Sequence, residues 1–279
     1  MAINGAVVAV AASLMLGLPA GSRASEIAPE TWLQRAGVAT DCESLLVALL
    51  DEDSEHRWLA AHALGRNRDC NAFETLRAHL ADPDAAARMG SMMGLGRLGN
   101  PAAISDLHMA ARTGASEDER LVAVGALRTI GGHAAIEALL DIANDANQSR
   151  ILRGNALGSL ARVARDGRPG CAELRPALQA ADAEVRAAAA LVIAVTEPAR
   201  AVAFLAGAVA DADTGEPHRV FLMGELQRIA GVTFGYVGEY GMVDEDPEVR
   251  ARAIEAMNAW WETSRSAYPA PEDCGNPPP

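Results

Sequence analysis

Seven arginines recur along the 279-residue chain at a nearly constant interval: Arg57, Arg88, Arg120, Arg150, Arg186, Arg219 and Arg250, separated by 31, 32, 30, 36, 33 and 31 residues. Seven positions beyond each stands an apolar side chain: Leu64, Leu95, Leu127, Leu157, Ile193, Leu226 and Met257. A period of this length, held seven times, marks a chain of stacked supersecondary units. Each unit is too small to bury its own apolar face and is stable only against its neighbours.

Composition identifies the unit as helical. Half of the residues are apolar but only 4% are aromatic, and a core of Ala and Leu suits close helix packing better than strands of β-branched residues. In the second repeat, residues 72–80 read as a first helix, Ala81-Asp82-Pro83-Asp84 as the turn and residues 85–98 as a second helix. The turn carries Asp for helix capping and Pro for helix entry. Six residues before each repeat arginine stand Asp51, Asp82, Gly114, Asn144, Ala180, Asp213 and Asp244, so that four are Asp and one is Asn.

Residues 49–65, Leu-Leu-Asp-Glu-Asp-Ser-Glu-His-Arg-Trp-Leu-Ala-Ala-His-Ala-Leu-Gly, resemble HEAT repeats of the short bacterial type named after phycobilisome lyases. The resemblance covers about residues 41–262. It implies an all-α fold, a right-handed α-α superhelix of about seven helix pairs, with the second helices lining a concave face. It also implies that turn Asp and helix Arg form a ladder of hydrogen bonds between neighbouring repeats. The pairs matching that ladder are Asp51/Arg57, Asp82/Arg88, Asp213/Arg219 and Asp244/Arg250, while the repeats at Gly114 and Ala180 depart from it.

The ends of the chain read differently. Residues 6–20 form an apolar run, and Ser22-Arg23-Ala24 offers a small-x-small cleavage site, so residues 1–24 read as a secretory signal although no Lys or Arg precedes the run. A buried or disordered N-terminal helix is the alternative. Residues 25–40 are the expected cap, and residues 41–264 the solenoid. Within it, residues 231–243 hold four Gly in thirteen residues, too many for a stable helix, together with Phe234, Tyr236 and Tyr240. Residues 265–279 form a Pro-rich tail. The expected location is periplasmic or secreted, in a bacterium.

Four cysteines suit an oxidising compartment. Cys42 and Cys70 flank the first helix pair, whose antiparallel geometry brings those ends together. Cys171 and Cys274 would then be the remaining pair, tying the tail to the middle of the array. Free buried thiols are the alternative.

The formal charge of −13 argues against binding of phosphate backbones. No His is followed by Glu, as the di-iron hydroxylases of this fold require, and the six His show no chelating interval. Gly94-Leu95-Gly96-Arg97-Leu98-Gly99 matches a dinucleotide fingerprint in letters, but it closes a helix rather than following a strand. Met89, Met92 and Met93 read as core filler or contact surface before copper ligands. The expectation is a chain with no catalytic residues, no metal and no cofactor.

Partner binding is then expected on the second helices. Helical period places positions +1, +5 and +8 or +9 from each repeat arginine in the groove: Trp58, His62 and Arg66; Met89, Met93 and Arg97; Leu121, Gly125 and Arg128; Ile151, Asn155 and Ser159. A strip of Trp, Met and Leu bordered by Arg suits a protein or peptide, and the sequence reads as a non-catalytic exported scaffold. The competing reading is an exported enzyme or enzyme accessory with a site around Tyr236, Tyr240 and the neighbouring acids.

Overall fold

The computed structural model describes residues 29–51, 54–163, 169–236 and 246–274. The 1–24 signal, Tyr240 and Asp244 lie outside the described residues. The chain divides into two compact units, residues 1–138 and 139–279.

The first unit contains α1 (Pro29–Arg35), α2 (Cys42–Ala48), α3 (Ser54–Leu64), α4 (Phe73–Ala78), α5 (Ala85–Leu98), α6 (Ile104–Thr113) and α7 (Glu117–Ile130). Helices α2, α4 and α6 each pack on the helix that follows, and α3, α5 and α7 pack side by side. This makes two layers, first helices and second helices, with the apolar seam between them. Helix α1 rests on α3, and its Leu33 has no exposed surface.

The second unit begins within α8 (Gly132–Asn144). It continues with α9 (Arg150–Leu160), α10 (Arg175–Leu178), α11 (Ala183–Thr196), α12 (Pro198–Ala210), α13 (Glu216–Ala230) and α14 (Pro247–Ser264). Here α9, α11 and α13 are neighbours, with α10 and α12 laid against α11. All described secondary structure is helical, and the fold is an all-α array of helix pairs.

The helix starts follow from local chemistry. Asp84 accepts from the N–H of Ala87, Ser116 from that of Glu119, Ser149 from that of Leu152 and Asp182 from those of Glu184 and Val185. Each satisfies a first-turn N–H that the helix leaves open. In the second repeat the cap is therefore Asp84, and Asp82 is left for another task. Helices α5 and α13 stop at Gly99 and Gly231, both at φ +70° in the left-handed region where a side chain is disfavoured.

Burial explains the second half of the repeat signal. The seven residues at +7, Leu64 through Met257, all have 0% exposed surface. Each buried side chain of this size contributes roughly 1.5–3 kcal/mol relative to an exposed one. Glycine sets the spacing of the second-helix layer. A Cβ at Gly94 would lie 2.5 Å from the Ala61 carbonyl oxygen, and one at Gly90 would lie 2.7 Å from that of Trp58. Gly94 and Gly96 of the apparent fingerprint are thus contact points between helices.

Two disulfides close the ends. Cys42 and Cys70 are joined across the first helix pair, with Cα atoms 5.0 Å apart, and Cys171 is joined to Cys274 with Cα atoms 5.4 Å apart. The tail is held further by Arg175, which donates to the Cys274 carbonyl, and by Arg200 Nη1, 2.7 Å from the Asp273 carbonyl oxygen. Residues 231–236 contain no helix. Among the described residues no helix is long and apolar enough to cross a membrane.

Candidate functional site

Three of the repeat arginines, Arg57, Arg88 and Arg186, tie neighbouring repeats together, and their side chains do not bond the Asp side chain of their own repeat. Arg57 donates through Nε and Nη2 to Asp82 of the next repeat at 2.9 and 3.1 Å, and through Nη1 to the main-chain oxygen of Asp51 at 2.8 Å. Arg88 repeats the pattern with Glu119 of the next repeat at 2.5 Å and the Asp82 carbonyl at 2.6 Å. Arg186 binds the Ala180 carbonyl at 2.6 Å and Asp211 of the next repeat. What the arginine takes from the −6 residue is therefore a carbonyl, which Ala180 supplies as well as Asp. The carboxylate comes from the repeat that follows.

The C-terminal rungs are a further correction. Arg219 bonds the Val209 and Asp211 carbonyls and Glu216, while the exposed Asp213 bonds Asp211 through its own N–H. Arg250 reaches Glu216 at 3.1 Å. Burial opposes ionisation of Asp82, but hydrogen bonds from Arg57 and the Asp84 N–H outweigh it and hold its pKa below the usual carboxylate value. Asp211 is lowered too, by the hydrogen bond from Arg186 first.

The residues expected in the groove of the first unit lie on α3, α5 and α7 or just beyond their ends. Trp58, Met89, Met93, Arg97 and Arg128 are half-buried there, and Arg66 is exposed. The Gly90 contact brings α3 and α5 close enough for Trp58 to lie over α5. Met92 is core, at 2% exposure. Leu121 is 8% exposed and Ser159 6%, so neither belongs to an open face. Asn155 lies in the second unit, where its amide donates to the Ile151 carbonyl at 3.0 Å.

His62 departs furthest from the sequence expectation. It is 5% exposed rather than open to a partner, its ring lies 5.8 Å from that of Trp58, and neither ring nitrogen has a hydrogen-bond partner. Burial, and then the charges of Arg97 and Arg66, push its pKa down to about 4. Arg66 does not stand alone either: its Nε is 3.1 Å from Glu30 of α1. The cap helix therefore organises the end of the strip, a role that composition could not signal.

The second candidate region is a structural knot. Tyr236 is fully buried and donates its hydroxyl to Glu216 at 2.5 Å, with Arg219 and Arg250 on the same carboxyl. Burial and then Glu216 push the phenol up to about 12. Phe234 packs on Trp260 at 5.5 Å, and Trp260, Trp261 and Tyr268 continue the cluster at 6.0–6.2 Å. Among the described residues no group of three or more His, Cys, Asp or Glu is placed to hold a metal ion.

The family model for HEAT repeats matches residues 43–128. No curated protein matches the chain. A solved structure of human deoxyhypusine hydroxylase, in complex with glycerol, is similar at 17% identity and a TM-score of 0.32, over 93% of this chain and 96% of that one. That likeness carries no mechanism across, yet it corrects one expectation: the similar protein is an enzyme, so the exclusion of catalysis drawn from the sequence does not stand. HEAT repeats neither assign an activity nor rule one out. Stacks of this kind do present extended surfaces for binding other proteins. Residues 43–128 of this chain are HEAT repeats.

Proposed function

We propose that the protein is an exported scaffold that holds a protein or peptide partner on the second-helix face of its first unit. The observation that carries this reading is the half-exposed row of Trp58, Met89 and Met93, bordered by Arg66, Arg97 and Arg128, on three helices packed side by side. Trp, Met and Arg supply contact area and directional hydrogen bonds, and interfaces are enriched in them. Export, to a periplasm or beyond a cell, is supported by the two disulfides and by the apolar run of residues 6–20.

The test is affinity purification from the native envelope, comparing wild type with the double variant Trp58→Ala, Met93→Ala. The reading expects a specific partner lost from the variant at unchanged fold and abundance. Identical partner sets would sink it. N-terminal sequencing of the mature protein checks export separately, with Ser25 expected as the first residue.

A further inference from the structure

Arg153 occupies a position where the repeat asks for a small or apolar side chain. Three residues beyond the repeat arginines, the other six repeats hold Ala60, Ser91, Ala123, Ala189, Leu222 and Ala253, all at 2% exposure or less. The fourth repeat holds Arg153, itself only 7% exposed. Its Nε donates to the Ala143 carbonyl at 2.9 Å, but among the described residues its guanidinium has no carboxylate partner and its two Nη atoms have no acceptor. Neither Nη atom is among the sealed, unpartnered polar atoms of the described residues, so the charged end of this otherwise buried side chain stays open to a ligand.

The guanidinium instead lines a pocket of about 520 Å³ in the second unit, a size in the range of small-molecule sites. Gln148, Arg150 and Gln179 add polar groups to the wall. Arg150 is half-engaged, with Nε 3.2 Å from Glu184, and Gln148 is steadied by Asp145 at 3.3 Å. Asn144 is committed to the wall itself, donating to the Glu173 carbonyl and accepting from the Ala177 N–H. Asp182 also lines the pocket and is occupied in capping α11.

We propose that this pocket binds a carboxylate, seated end-on against the Nη atoms of Arg153. A planar guanidinium matches a carboxylate in a two-point geometry, and the neutral amides of Gln148 and Gln179 tolerate its substituents. The Asp182 carboxylate in the wall, together with Glu184 on Arg150, leaves room for one negative charge rather than two, which selects a carboxylate over a phosphate dianion. The carboxylate belongs either to a small free acid or to an acidic side chain of a peptide. This assignment is independent of the partner face of the first unit.

The experiment is calorimetric titration of the full mature protein with two singly charged probes, butyrate and the blocked peptide acetyl-Ala-Glu-Ala-amide, repeated on Arg153→Ala and Arg153→Met. Four other repeats already carry Ala at this position, so the Ala variant is expected to keep its ligand-free Tm; the Met variant preserves volume should it not. At least one probe should bind, and both variants should weaken it by about tenfold or more, as expected for loss of a charged bidentate contact. Binding of butyrate identifies a free acid as the source, and binding of the peptide alone identifies an acidic side chain. Failure of both probes, or equal affinity in wild type and variants, would overturn the assignment.

Discussion

Arg57 holds two repeats together: its Nε and Nη2 grip the Asp82 carboxylate of the next turn while its Nη1 binds the Asp51 carbonyl of its own. Asp82 is 9% exposed, so removing it strands a cation in a place poor in water. Asp82→Ala should lower stability by about 2–4 kcal/mol, read as a drop in the urea midpoint with an unchanged slope. Because the folded Asp82 pKa is depressed, this contribution is present above the unfolded carboxylate pKa and is lost as pH falls through the folded one. The difference between wild type and variant should therefore vanish in strong acid.

The carbonyl rule makes a sharper distinction. Arg186 takes the main-chain oxygens of Ala180 and Ala181, so restoring the repeat's usual acid there adds no rung. Ala180→Asp should change stability by less than about 0.5 kcal/mol, as for an ordinary surface substitution. A clear gain in thermal stability would mean that the side chain, and not the carbonyl, matters at this position.

His62 predicts a pH dependence of its own. Its folded pKa of about 4 lies below the ordinary 6.5, so the unfolded chain binds the extra proton first as pH falls. Stability should decline from about pH 6.5 to 4 and level off below. The full cost is about 3 kcal/mol, at 1.36 kcal/mol per pKa unit. His62→Phe should flatten that part of the stability profile; a profile identical to wild type would show that the imidazole is not buried neutral.

Two glycines on neighbouring helices should respond in opposite directions. Gly94→Ala drives a methyl to 2.5 Å from the Ala61 oxygen and forces α3 and α5 apart, whereas a Cβ at Gly125 meets nothing within 4 Å. Gly125→Ala should stabilise by roughly 0.5–1 kcal/mol through helix propensity alone. Gly94→Ala should destabilise by about 1–3 kcal/mol despite the same propensity gain. Thermal melts of the two single variants check both.

Opening the first disulfide should loosen the end of the array. Cys42 and Cys70 enclose a separation of 28 residues, for which loop-closure entropy gives about 3–4 kcal/mol. The Cys42→Ala, Cys70→Ala variant should lose stability of that order, with hydrogen-exchange protection falling first in α2 and α3. Uniform loss across both units would contradict a local clamp.

Helix pairing and the buried +7 positions were legible because both are consequences of period: a helical face recurs every turn, and a repeat must bury the same positions each time. The paired cysteines were legible for a related reason, since antiparallel helices bring their outer ends together. The rungs were only half legible. A ladder between neighbouring repeats was implied by the resemblance, and Asp51, Asp82 and Asp213 stand out as letters, but which acid each arginine takes and its tie to the −6 main-chain oxygen were not legible, because a carbonyl has no letter.

The same limit governs the sites. Periodicity assigns Trp58, Met89, Met93 and His62 to one face by the same count, yet His62 is enclosed. Burial depends on what packs from outside the repeat, here the close approach of α3 and α5 and a cap helix with no repeat signature. Tyr236 looked like loop chemistry and proves to be the keystone of a Glu216 network. Arg153 carries no signal in the sequence, being one arginine among many; only its burial beside an open pocket gives it one. Local chemistry and period are properties of the chain, whereas desolvation and partnership are properties of the packed neighbourhood. That is why the architecture could be read in advance and the chemistry of individual side chains could not.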